Sequence, residues 1–180
     1  MKVSGIFLNK KNKKAIVWIS TVLYILIGLS IMGMLLAVVR PKIAEMKDSF
    51  VIDQSITAMN KLDETIIKTK QAIGTRLSYI LQLSRGELEI NPQEDVIELR
   101  IPDSAYKYSE PNVKINIGSI ELLTKKAGGV WQVSLKLNYT GTDIIFSGRD
   151  EKKIFTATKL PYKFFIENLG NNQIGITQTG

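Results

Sequence analysis

The sequence predicts an α+β chain. A long N-terminal helix starts as a membrane span and continues as an amphipathic stalk, and an antiparallel β-sandwich-like head follows. Three observations predict this. A basic stretch of 14 residues runs into 25 residues, Ala15 to Val39, that carry no charged side chain. A helical period then persists toward residue 74, with neither Pro nor Gly between Pro41 and Gly74. Beyond residue 75 the apolar period changes to two and turn signals recur. The expected organisation is a cytoplasmic leader over 1–14, a transmembrane helix over 15–39, a stalk over 40–74 and an extracellular β domain over 75–180.

The leader reads "NKKNKK" where it meets the apolar run. Lys2, Lys10, Lys11, Lys13 and Lys14 precede residue 15, and no acid lies among them. Removing those five from the 24 Lys and Arg leaves 19 bases against 17 acids, so the rest of the chain is nearly neutral. The net charge of +7 therefore marks a topological signal and argues against a nucleic-acid surface. Five lysines ahead of the span place the N-terminus in the cytoplasm and residues beyond 40 outside.

A span of 25 residues exceeds the ~20 needed to cross a hydrocarbon core. It also exceeds the ~7–15 apolar residues of a cleaved secretory signal. After it, Ile52, Ile56, Met59, Leu62, Ile66 and Ile73 fall within an arc of about 120°, an amphipathic stripe. Ile43, Met46 and Phe50 fall on roughly the opposite side. A strict heptad fails, because Asp53, Asn60 and Glu64 would occupy its seam. Two readings fit the two faces: two burial partners, or a phase reset at Pro41 with no partner implied.

In "TRLSYILQLS" Leu77, Tyr79, Leu81 and Leu83 alternate, and "ELEI" follows "RG". A two-residue turn at Arg85-Gly86 would set Leu83 against Leu88 and Leu81 against Ile90. A helical reading of 73–81 stays open, since Ile73, Leu77 and Leu81 are also four apart. Further strands are expected in "DVIELRI", "VKINIG", "SIELLTK", "GVWQVSLKLNY", "TDIIFSG", "KKIFTATKL", "YKFFIENLG" and "QIGIT". Such strands suggest a sandwich of immunoglobulin-like size.

The chain has no Cys and no His, which excludes ordinary zinc sites and His-based catalytic triads. Asp63-Glu64 and Glu94-Asp95 read as a solvated face or a turn, since adjacent helical residues do not converge. No Walker pattern occurs, Tyr106, Tyr108, Tyr139 and Tyr162 read as core and rim, and no metal or cofactor is expected. Asn138-Tyr-Thr140 fits the N-glycosylation acceptor pattern.

This layout resembles the archaeal type IV pilin-like proteins. "NKKNKKAIV" looks like the leader of a class III signal peptide, and "LQLSRGELEINPQEDVIEL" is similar to a hairpin of small-genome archaeal members. The resemblance implies cleavage by a prepilin peptidase at the Ala15–Ile16 bond, after Lys14. It also implies assembly with identical or related pilin subunits by an assembly ATPase and membrane platform proteins. Gly28, Ser30 and Gly33 would then allow close helix packing. Two positions depart from the pattern: Ala15 stands where Gly is usual, and Ser20 where Glu is common. The expected function is a major or minor filament subunit, without enzymatic activity. The alternative is an uncleaved single-pass scaffold or assembly component with an extracytoplasmic β domain.

Overall fold

A computed structural model describes the backbone of residues 11–179 and the side chains of residues 17–179. It has one α-helix, α1 (Lys11–Lys70), and ten strands. The chain divides into two compact units, residues 1–43 and 44–180. The first unit contributes the apolar part of α1. The second holds the rest of α1 and all the β structure.

Two sheets form the β head. One has the order β1 (Arg76–Leu81), β9 (Tyr162–Gly170), β10 (Gln173–Thr179), β7 (Asp143–Phe146). The other has the order β4 (Lys114–Ile117), β5 (Ile120–Ala127), β6 (Val130–Asn138), β3 (Val96–Ser104), β2 (Glu87–Asn91), β8 (Lys153–Thr156). Every pairing is antiparallel except β10 with β7, where Ile174 lies beside Ile144 in a parallel register. The head is thus α+β with antiparallel-rich sheets, as expected, and all ten apolar segments named above form strands.

The core is built from period-two faces. Val133, Leu135 and Leu137 of β6 are buried, whereas Trp131 at its start is only half-buried. Leu99 and Leu122 flank Leu135 across β3 and β5. The sheets meet through Phe155 of β8, which packs edge-on against Phe164 of β9 with ring centres 5.1 Å apart. Into the same core cluster α1 inserts Ile52, Ile56, Met59, Leu62 and Ile66, none more than 8% exposed. The predicted stripe is real over these five residues.

Three expectations are corrected. The helix ends at Lys70 rather than 74, and Ile73 is 78% exposed. Residues 76–81 are strand, which excludes the helical reading of that segment.

The hairpin at Arg85-Gly86 does not form. β1 pairs with β9 in one sheet, and β2 pairs with β3 and β8 in the other. Residues 82–86 cross between the sheets, and only Gly86 of the proposed turn has a positive φ, +92°. A Cβ there would overlap the Arg100 carbonyl, so glycine is required by close approach as well as by φ. Leu81, Leu83, Leu88 and Ile90 are all buried. Alternation therefore identified the inward residues correctly, but both sheets face one core, and facing the core does not fix the neighbour.

The true hairpin joins β2 to β3 through "NPQED". Asn91 pairs Val96, and Asp95 closes the turn in the left-handed region at φ 53°. Pro41 breaks nothing, because α1 runs through it.

The opposed helix faces differ sharply in burial, so their substitutions should differ too. Met59→Ala should cost about 2–5 kcal/mol. Phe50→Ala, at a side chain 69% exposed, should stay within about 0.5 kcal/mol. Denaturant titration of the full chain in detergent measures both.

Candidate membrane and assembly helix

The first unit presents an apolar helix with no cover from its own chain. Across its most apolar window none of the residues is buried, and the helix is long and apolar enough to cross a membrane. Apolar side chains point in every direction, with Trp18 75% and Tyr24 73% exposed. A helix apolar on all sides, rather than along one stripe, needs an apolar environment on all sides. Its hydroxyls suit that environment. Thr21 Oγ1 donates to the Val17 carbonyl at 2.9 Å, and Ser30 Oγ donates to the Leu26 carbonyl at 2.8 Å. Each satisfies its donor within the helix, as a lipid-exposed hydroxyl must.

The predicted packing residues lie on this helix but not on one face. A Cβ at Gly28 or Gly33 would meet nothing within 4 Å. At 100° per residue Ser30 and Gly33 are about 60° apart, whereas Gly28 lies about 140° from Gly33. Lys14, Ala15 and Ile16 have helical backbone, and their side chains lie outside the described residues. Leader residues 1–10 also lie outside them. Asn138 ends β6 and is exposed. Its Oδ1 accepts hydrogen bonds from the Thr140 amide at 3.0 Å and the Thr140 hydroxyl at 2.6 Å, an Asx turn formed by the acceptor motif itself.

In the second unit polar ties fix the helix against the head along its length. Asp48 is the first. Its Oδ1 receives Arg85 Nη1 at 2.6 Å and its Oδ2 receives the Ala105 amide at 2.6 Å. Further along, the Tyr79 hydroxyl donates to the Ala58 carbonyl at 2.8 Å, and the Tyr139 hydroxyl donates to Asp63 at 3.0 Å. At the C-terminus Asn168 Nδ2 donates to the Thr69 and Lys70 carbonyls, which the helix itself leaves without partners. Lys70 Nζ reaches Thr142 at 2.7 Å.

Sequence reasoning passed over these residues. Asp63 was expected on a solvated face. It is buried, whereas Glu64 beside it is exposed near Lys68. Asp95 is the turn residue expected, and its carboxylate also accepts the Ile144 amide at 2.9 Å. A signal for Asp48 existed: it lies four residues before Ile52, so it extends the buried stripe by one turn.

Comparison with protein-family models, with curated proteins and with solved structures finds no match.

Burial raises both core phenols above their ordinary value of 10.0, and at Tyr139 the Asp63 carboxylate adds to the effect. An acid with a raised folded pKa holds its proton more tightly when folded. Its stabilising contribution is intact below about pH 10 and is lost as pH rises further. Unfolding free energy should therefore fall above about pH 10, by up to about 1.4 kcal/mol per pH unit for each phenol. The double variant Tyr79→Phe/Tyr139→Phe should start lower and flatten that fall, in denaturant titrations run at increasing pH.

Proposed function

We propose that this chain is a type IV pilin-like structural subunit. It is held in the cell membrane with its N-terminus in the cytoplasm and its β head outside, and is then assembled into a surface filament. One observation carries the reading: a single helix is divided into a segment apolar on every side and uncovered, and a segment whose apolar stripe its own head consumes. The first segment needs lipid before assembly, and other copies of the same helix serve equally well afterwards. The two surroundings are similarly apolar, so transfer between them costs little.

The leader is the control on that transfer. Its lysines hold the N-terminus at the cytoplasmic face and oppose extraction. Cleavage of Ala15–Ile16 by a prepilin peptidase removes all five of them and leaves the remainder at about +2. Assembly ATPase and platform proteins would then move the helix out of lipid. The role is structural, with no enzymatic step and no nucleic-acid partner.

A second reading keeps the leader and makes the chain an uncleaved scaffold of an assembly machine. It is supported by Ala15 and Ser20, the two departures from the pilin pattern. Intact mass of the membrane-extracted chain, from cells that contain the peptidase, separates the two. The subunit reading expects loss of residues 1–15, and Ala15→Leu should retain them. A chain still starting at Met1 would sink it in favour of the scaffold. The same spectrum tests the surface placement of Asn138. A glycan mass should appear on the native chain and vanish in Asn138→Gln; an unmodified native chain removes the glycosylation proposal.

A further inference from the structure

The two ends of the β head carry different charge. One end lies level with the last turn of α1, where Asn168 and Thr142 meet Thr69 and Lys70. It is formed by the turns at 92–95, 118–119, 139–142 and 171–172. Those turns hold Glu94 and Asp95 and no Lys or Arg, and Lys70 alone brings a positive charge there.

The other end lies level with Asp48, whose carboxylate holds the Ala105 amide. Here the β5–β6 hairpin protrudes. Ser104, near the end of β3, pairs Trp131, and the hairpin continues past it to Gly128-Gly129. Its tip carries Lys125 and Lys126, both exposed and neither in an ion pair among the described residues. Lys126 Nζ lies 5.9 Å from the centre of the half-buried Trp131 ring. Lys159 and the 78% exposed Leu160 sit in the loop after β8, on the same end of the head.

That end is also the one from which the chain continues into the apolar segment. Nine residues separate Val39 from Asp48, at most about 13 Å of helix whatever direction the span takes. The hairpin tip projects a further two or three residues beyond Trp131, about 7–10 Å. A headgroup layer is about 5–8 Å deep on each side of the hydrocarbon. The reach of the tip and the position of that layer overlap. Lysine beside tryptophan is the chemistry that such a layer selects, the ring at the interface and the ammonium on lipid phosphate.

We infer that the β5–β6 hairpin, through Lys125, Lys126 and Trp131, docks on the headgroups of anionic phospholipid around the chain's own span. The head of the unassembled chain is then held against the bilayer at two points, the helix and the hairpin. This rests on the reading of residues 17–39 as membrane-embedded, and is independent of leader cleavage.

The test uses the full chain in lipid nanodiscs in two single-tryptophan forms. Trp18→Phe leaves Trp131 as the reporter, and Trp131→Phe leaves Trp18. In discs containing phosphatidylglycerol, headgroup-labelled lipid should quench Trp131, and in pure phosphatidylcholine discs it should quench far less. Lys125→Gln and Lys126→Gln should each lower the docked-to-free ratio roughly fivefold, and added salt should do the same. Equal Trp131 quenching in the two lipids, or none in either, overturns the inference. So does quenching that follows the number of chains per disc rather than lipid charge, since the occupant is then a second copy. Trp18 with acyl-chain-labelled lipid supplies the separate control. If Trp18 is unquenched, the membrane reading fails as well; if it is quenched while Trp131 is silent, only the hairpin docking falls.

Discussion

The head cannot close its core without the helix. Ile52, Ile56, Met59, Leu62 and Ile66 are as deeply buried as the strand residues around them. Fully burying such side chains is worth about 1.5–3 kcal/mol each, so the stripe as a whole rivals the net stability of an ordinary domain. The polar ties add direction to that apolar attraction. Asp48 at one end, Tyr79 and Tyr139 in the middle and Asn168 at the other fix the helix along its axis. A hydrophobic stripe alone would permit a slip by one turn; a carboxylate matched to Arg85 and an amide matched to the last carbonyls do not.

Because the helix is fixed in the head, the end from which the apolar segment departs is also fixed. One element thus serves two environments with different surface designs. In residues 44–70 apolar residues are confined to a stripe, and the other side is polar apart from Met46 and Phe50, 73% and 69% exposed. In residues 17–39 they cover the whole circumference, and hydroxyls bond back to their own helix. Both designs follow from one requirement, that each polar group keep a partner and each apolar side chain find an apolar neighbour. Applied to folding, that requirement builds the head. Applied to the uncovered segment, it calls for lipid or for further helices.

The charge distribution obeys the same economy. The dense positive charge lies in the leader, with a smaller group at the hairpin end of the head, and the far end of the head has almost none. On the outer face of the larger sheet, charge is instead paired internally. Glu89 is 7% exposed and bonded to both Arg100 and Lys152, which ties the segment before β8 to β2. Basic residues left without acids are therefore informative in this chain, because its other charged groups are so often paired.

The sequence alone determined the class of each segment. An uncharged run of 25 residues is long enough for a bilayer, a period near 3.6 marked the buried face of the stalk, and period two marked ten strands. These are local properties, set by which way successive side chains point. Tertiary structure alone decided which strands are neighbours. It parted β1 from β2, joined β7 to β10 in parallel, and ended the helix at Asn168 instead of at Gly74. It also turned Asp48, Asp63 and Arg85 from ordinary surface charges into ties. Pairing partners and buried ion contacts depend on residues far apart in the chain, and a pattern that records only inward and outward cannot encode them.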